Sequence, residues 1–318
     1  MTVANGTDAI ELGLRALGIG KGHIVATVAN AGMYTTTALM AIGAKPFFLD
    51  VDLDTCNTTL EEVRRALNSG VDAVVVTHLY GLAVSEIEMI SKLCRQKNIP
   101  LLEDCSQAHG ASIAGKRVSS FGDIGVFSFY PTKNLGSLGD GGAVVTNDAS
   151  IAETVVRLRQ YGWSKKYQVE LTGGRNSRLD ELQAAILSAL LPKLDFENEL
   201  RRRIANRYNQ EIRSPKLKLP HHAENEYVAH LFVVRCVNRE SLRSHLADQE
   251  IASAIHYPIP DHKQHVFLDR YAHIVLPNTE QLASEILTLP CYPDMNDAAV
   301  NRVIYAINDW AEKTATKE

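Results

Sequence analysis

The sequence predicts an α/β protein: a large domain with a mostly parallel sheet flanked by helices, then a smaller α+β C-terminal domain. Three observations predict it. Short apolar runs alternate with helical patterns from residue 24 to 103, a βαβ rhythm. The runs are β-branched or leucine-rich and do not alternate with polar residues, as in strands buried on both faces. Near residue 212 the rhythm changes, so the domains are placed at 1–211 and 212–318.

Taken in order, Ile10, Leu14 and Leu17 share one helical face. Thr7 is its candidate N-cap and Gly18 its stop. Ile24–Val28 reads as a strand, Thr35–Ile42 as a helix, Pro46–Leu49 as a strand and Leu60–Leu67 as a helix. Ala73–Val76, Ser85–Gln96 and Pro100–Glu103 continue as strand, helix and strand. Gly125–Tyr130 and 141–146 are further strands, and Ser150–Tyr161 is an amphipathic helix. A helix carrying Leu179 to Leu190 is capped by Asn176 or Ser177, and Leu194–Tyr208 is a long charged helix leading into the second domain. There, strands are expected over Tyr227–Val237 and Ile251–His256, and helices over Glu240–Gln249, Leu282–Leu287 and Ala298–Trp310.

Composition narrows the function. The chain has 318 residues, 45% hydrophobic and 22% charged, with formal net charge -4. No basic run is present, which argues against nucleic acid as a partner. No apolar run reaches the ~20 residues of a membrane span. Five scattered cysteines without a C-x-x-C pair suit a reduced, cytoplasmic protein, and the N-terminus shows no signal-peptide pattern.

The stretch Ser128-Phe129-Tyr130-Pro131-Thr132-Lys133-Asn134 ends a strand in an aromatic-proline turn and precedes glycine-dense Gly136–Gly142. Lys133 is either a solvated turn lysine or an amine placed for covalent chemistry. Gly6-Thr7 at a helix start offers free N–H groups, a hydroxyl and the positive dipole end; it either caps a helix or seats a phosphate. Asp104 follows a strand, where ligands bind in open α/β sheets. It either caps the next turn or pairs with a cation. The three histidines between His256 and His265 lack a Cys or carboxylate cluster, so no metal site is assigned.

In order along residues 5 to about 310, Gly6-Thr7-Asp8, His78-Leu79-Tyr80-Gly81, Glu103 through Gly110, Gly122 through Gly125, Phe127 through Asn134, Gly139 through Ala143, Asn176 through Ala185 and His256-Tyr257-Pro258 resemble the DegT/DnrJ/EryC1/StrS family of sugar aminotransferases. That resemblance implies fold-type I and pyridoxal 5'-phosphate (PLP) as cofactor. Lys133 matches the lysine that holds PLP as a Schiff base and shuttles protons, and Asp104 the acid facing the pyridine nitrogen. Gln107 matches the contact to the ring hydroxyl, and Gly6, Thr7 and Ser128 the phosphate cradle. Asn176 matches a residue reaching the phosphate from the other subunit of a homodimer with shared active sites. His256 and Tyr257 lie on the substrate side without an assigned role.

By the same resemblance, glutamate donates the amine and a nucleotide-linked keto sugar, dTDP- or UDP-linked, accepts it at C3. Lysine rather than histidine at 133 favours transamination over dehydration. A C4 enzyme and a non-catalytic PLP-fold protein are the alternatives. Two departures stand out. Gly32 replaces the family's aromatic that stacks on the cofactor ring, so Tyr34 is expected to stack instead. The family's chains also begin several dozen residues before the Gly-Thr turn, so a helix of the small domain and a segment near the substrate are expected to be missing.

Overall fold

The computed structural model describes residues 1–220, 225–271 and 273–315. Its large sheet is built from β1 (Thr2–Val3), β2 (Ile24–Val28), β3 (Lys45–Leu49), β4 (Ala73–Thr77), β5 (Leu101–Asp104), β8 (Ile124–Ser128) and β9 (Gly142–Val145). Two short strands, β6 (Ser112–Ile113) and β7 (Lys116–Arg117), form a hairpin between β5 and β8. The strand order is β1-β9-β8-β5-β4-β2-β3. Strands from β3 to β8 pair in parallel, whereas β9 runs antiparallel to β8 and β1. The sheet is therefore mixed and mostly parallel, as its unalternating apolar strands require.

Helices α1 (Gly6–Ala16), α2 (Tyr34–Ile42), α3 (Leu60–Asn68), α4 (Ile87–Gln96) and α5 (Ala149–Leu158) cover this sheet. One core layer joins Ile10, Leu14, Leu39, Leu102 and Val126, and another joins Val28, Val63, Val76, Ile87 and Ile90. All of these are nearly or fully buried. A hairpin of β10 (Trp163–Lys165) and β11 (Gln168–Val169) precedes α6 (Glu181–Leu190) and α7 (Leu194–Glu211).

The C-terminal region holds β12 (Leu217–Lys218), β13 (Phe232–Cys236), α8 (Arg239–Asp248), α9 (Leu268–Tyr271), α10 (Pro277–Glu285), β14 (Ile286–Leu289) and α11 (Asp297–Ala315). Its sheet has the order β12-β13-β14. Ile204, Ala205 and Tyr208 of α7 enter the core of this region beside Phe232, Leu287 and Trp310. The charged helix thus carries an apolar stripe on its second half.

Several expectations are corrected. Asn5, not Thr7, caps α1: its Oδ1 accepts the Asp8 N–H at 2.8 Å, and Thr7 lies inside the helix. The helix after Leu179 starts at Glu181, with Asp180 at the cap position. Tyr227–Leu231 is not strand. It lies against the Tyr80-Gly81 turn, with Leu231 N donating to Tyr80 O and Val228 N to Gly81 O, and Ala229 at φ 45° breaks the pleat. Ile251–His256 contributes only a bridge from Ala254 to Thr288. The expected helix Leu282–Leu287 is split. Pro277 starts α10 early, and the apolar run from Ile286 pairs with β13 as a strand.

One buried network fixes the end of β5. Glu103 accepts N–H groups from Ser119 (2.9 Å), Phe121 (2.7 Å) and Gly122 (2.7 Å). His78 lies at 3.1 Å through Nε2, while its Nδ1 accepts from Val84 N–H, so Nε2 carries the hydrogen. Burial alone would raise the Glu103 carboxyl, but these hydrogen bonds, that from His78 first, hold it below the ordinary range. His78, Glu103 and Cys105 form a group with metal-ligating side chains. The hydrogen bonds already committed at His78 and Glu103 explain it as a structural unit.

Glu103→Gln puts an NH2 group among those N–H donors. It is expected to lower unfolding stability by about 3 kcal/mol, read as a shifted urea midpoint at constant m. A depressed carboxyl contributes stability above its unfolded pKa and loses it as pH falls through the folded value. The gap between wild type and variant should therefore narrow in acid.

Candidate active site

The C-terminal ends of β4, β5 and β8 open into a cleft of about 870 Å³. That is the scale of a cofactor plus a small substrate. The N-terminus of α1 forms one wall. A Cβ at Gly6 would sit 2.7 Å from Cβ of Ser128, so only glycine lets the helix start approach β8 this closely. The N–H groups of Gly6 and Thr7 have no hydrogen-bond acceptor among the described residues, and both residues line the cleft with Ser128. Two free N–H groups at a helix N-terminus beside two hydroxyls make a phosphate seat.

Asp104 ends β5 and is 5% exposed. Its Oδ1 accepts from Ser106 N–H at 3.0 Å, and its carboxylate faces the same cleft as Lys133. Lys133 is held at the turn by its N–H to Tyr130 O at 2.8 Å. Burial pushes its ammonium below the ordinary value, and Asp104 opposes that shift. Gln107 has a fixed amide orientation: Oε1 accepts from Tyr80 N–H at 2.6 Å, and Nε2 approaches Tyr257 Oη at 3.1 Å. Its NH2 is therefore on the cleft side, where it can donate to a ring oxygen.

Tyr34 begins α2, lines the cleft and is half exposed. Its ring meets Tyr257 edge-on, centroids 6.0 Å apart. Gly32 has φ +77°, and a Cβ there would lie 2.9–3.0 Å from ring atoms of Tyr257. The missing aromatic at 32 thus leaves room that Tyr257 occupies. Tyr34→Ala is expected to weaken PLP binding about 5–10-fold, the scale of one aromatic contact, with unchanged circular dichroism. Unchanged affinity would remove Tyr34 from the site.

The segment carrying His256 and Tyr257 is tied to α2. Asp261 accepts from Met33 N–H at 3.0 Å and from Thr36 Oγ1 at 2.5 Å, and its own N–H donates to Ala29 O. Burial pushes the Asp261 carboxyl up to about 7 against these two bonds. His256 Nδ1 pairs with Thr288 Oγ1 at 2.9 Å, and Tyr80 Oη donates to His256 O. His262 pairs with Glu280 at 3.0 Å, so His256 and His262 point to different partners.

Asn176 is exposed and does not line this chain's cleft. Its Oδ1 accepts from Arg178 Nε at 2.9 Å, and neighbouring Arg175 pairs with Asp8 of α1 at 3.1 Å. Sequence reasoning missed Thr77 and His230 among the cleft-lining residues. Thr77 Oγ1 is buried without a hydrogen-bond partner among the described residues. His230 falls within the expected strand Tyr227–Val237, and no local motif marks it. His109 is buried against Phe127 and Phe129, its imidazole pushed down to about 3 by burial and by Lys133.

These residues fit PLP. The seat at Gly6, Thr7 and Ser128 suits a phosphate, Asp104 a protonated pyridine nitrogen, Gln107 a ring oxygen, and Lys133 an aldehyde.

A family model described as the DegT/DnrJ/EryC1/StrS aminotransferase family matches residues 1–308. A dTDP-3-amino-3,6-dideoxy-alpha-D-galactopyranose transaminase of Aneurinibacillus thermoaerophilus is 45% identical over 309 residues, 97% of this chain and 84% of its own. A UDP-N-acetyl-3-dehydro-alpha-D-glucosamine 3-aminotransferase of Acidithiobacillus ferrooxidans is 40% identical over 305 residues, 96% of this chain and 82% of its own. Among solved structures, S. venezuelae DesV in complex with a ketimine intermediate matches with TM-score 0.93 and 38% identity, covering 98% of this chain and 84% of that one.

Proposed function

This chain belongs to the DegT/DnrJ/EryC1/StrS aminotransferase family, and we propose on that premise that it moves an amino group onto C3 of a nucleotide-linked keto sugar. It is a PLP-dependent enzyme. The observation that carries the reading is Lys133: a partly buried amine facing Asp104, in one cleft with a phosphate seat and an oriented Gln107.

PLP, when bound, supplies an electron sink for the carbon whose proton is moved. The chain's own residues do the rest. The free N–H groups of Gly6 and Thr7 and the hydroxyl of Ser128 hold the phosphate. The Asp104 carboxylate keeps a proton on the ring nitrogen, and Gln107 donates to the ring oxygen. Lys133 takes the proton from the donor carbon and returns it at the acceptor side. Its depressed pKa keeps more of the amine neutral and able to accept a proton near pH 7.

Glutamate is the proposed donor. Lys133 is the one Lys or Arg among the described residues lining the cleft. The carboxylates of the donor and the diphosphate of the sugar therefore call for cations from elsewhere. This supports a homodimer in which the partner brings the Asn176 loop, with exposed Arg178 beside it, toward this cleft. The separate sheets support the proposed division into 1–211 and 212–318. No helix of the described residues is long and apolar enough to cross a membrane, and a cytoplasmic setting is proposed with the cysteines, all free and buried.

The test is a panel of nucleotide-linked 3-amino and 4-amino sugars, added to the PLP form and followed by loss of its visible absorbance. Reaction with a 3-amino sugar, regenerated by the keto acid of glutamate, is expected. Reaction confined to 4-amino sugars would overturn the C3 assignment. A single-chain particle by light scattering would overturn the dimer.

A further inference from the structure

Beyond the residues already assigned, one cleft side chain has a fixed polarity and an unused lone pair. His230 lies in the ribbon 227–231 that packs on the Tyr80-Gly81 turn. It is 7% exposed and lines the cleft beside Lys133, Leu231 and His256. Its Nδ1 is 3.0 Å from Asn134 Oδ1. The amide of Asn134 has one allowed orientation, because its Nδ2 donates to Asn198 Oδ1 at 2.8 Å and to Val228 O at 2.9 Å. Asn134 Oδ1 is then an acceptor, and His230 Nδ1 must carry the hydrogen. Burial, then Lys133, Arg201, His109 and His256, keep the imidazole well below its ordinary pKa, so the ring is neutral.

A neutral ring with hydrogen on Nδ1 has a bare lone pair on Nε2. That nitrogen has no hydrogen-bond partner among the described residues and is not sealed from solvent, so its lone pair is open to the cleft. His230 lines the same cleft as Lys133, and after burial Lys133 is the first of the charges that lower its pKa, so the ring stands on the wall of the cleft where the proton moves.

We propose that His230 Nε2 is a specificity-determining acceptor, taking a hydrogen bond from a hydroxyl on the carbon next to the reacting carbonyl of the sugar. The assignment rests on the keto-sugar reading above. It makes the cleft select hydroxylated over deoxygenated sugars at that carbon: a hydroxyl satisfies Nε2, and a CH2 group set against it displaces water and leaves it unpaired. Asn134, the residue that follows Lys133 in the chain, is the positioning residue that sets the tautomer.

Two variants separate this role from a structural one. His230→Asn keeps an N–H donor where Nδ1 stands and leaves nothing at Nε2. His230→Gln places an amide end near Nε2. The measurement is kcat/KM for a matched pair of nucleotide-linked amino sugars, one with and one without the neighbouring hydroxyl. Wild type should favour the hydroxylated sugar by about 10–100-fold, and His230→Asn should erase that preference. His230→Gln should restore part of it. Calorimetric binding of the same pair to the apoprotein should show the same ratio.

Nitrogen-15 NMR of the apoprotein should show the His230 ring neutral, with hydrogen on Nδ1, from about pH 5.5 to 8.5. Equal loss on both sugars in His230→Asn would mean that the ring only holds Asn134, and would overturn the proposal. So would an undiminished preference in that variant, or a hydrogen found on Nε2. Wild type inactive on both sugars would instead overturn the keto-sugar reading, a result separable from a loss confined to the variant.

Discussion

Lys133→Ala is expected to lower transamination by at least about 10⁴-fold, because no other group among the described residues lining the cleft is placed to carry the proton between substrate carbon and cofactor. The neighbouring imidazoles do not substitute. His230 and His256 are held below the ordinary histidine range, and His109 is buried between aromatic rings. The variant should elute from gel filtration without the visible band of wild type, since only the phosphate seat and ring contacts remain to hold PLP. Its apoprotein should fold at least as well. A lysine whose folded pKa is depressed costs stability while it is charged in the unfolded chain, and that cost vanishes as pH rises past the unfolded value near 10. The variant should therefore be the more stable apoprotein at neutral pH, with the gap closing toward pH 10. Residual activity above one-hundredth of wild type would remove Lys133 from its role.

Asp104→Asn should cost about 10²–10³-fold in kcat, the scale of one preorganised electrostatic partner. The substitution is close to isosteric, and an asparagine oxygen can still accept the Ser106 N–H now taken by Oδ1. Its NH2 then faces the ring nitrogen, which no longer keeps a proton, and the electron sink weakens. PLP should remain bound, because Lys133 and the seat at Gly6, Thr7 and Ser128 are all untouched. Single-turnover rates at saturating PLP are the measurement; a rate within fivefold of wild type would show that Asp104 acts only as the cap of the Ser106 turn.

How much of this was legible in the sequence depends on how local each signal is. The parallel core was legible, because each buried strand and its covering helix lie next to each other in the chain. Lys133, Asp104, Gln107, Gly6, Thr7 and Ser128 were legible as ordered motifs, and all six line one cleft. What failed depended on long-range packing. Tyr227–Leu231 has strand composition but is drawn into a ribbon by the turn at Tyr80, far away in sequence. Ile286–Leu289 continues a helical pattern and becomes a strand because β13 offers it an open edge. Asn5 outcompetes Thr7 as cap because its side chain lies before the first helical turn and accepts from Asp8. His230 had no signal at all: its meaning comes from the orientation of Asn134, nearly a hundred residues earlier.

The tie between Asp261 and the start of α2 sets a rule for engineering. Residues 256–261 and 29–36 form a cassette: Tyr257 fills the space opposite Gly32, and the Asp261 carboxylate is satisfied by Met33 and Thr36. A graft of the histidine-tyrosine-proline loop alone onto a relative with an aromatic at position 32 would collide with that ring. It would also bury a carboxylate whose second oxygen has lost its donor if Thr36 were absent. Chimeras made to exchange acceptor sugars should therefore move both segments together, and libraries that vary one of them should hold Gly32, Thr36 and Asp261 fixed as a set.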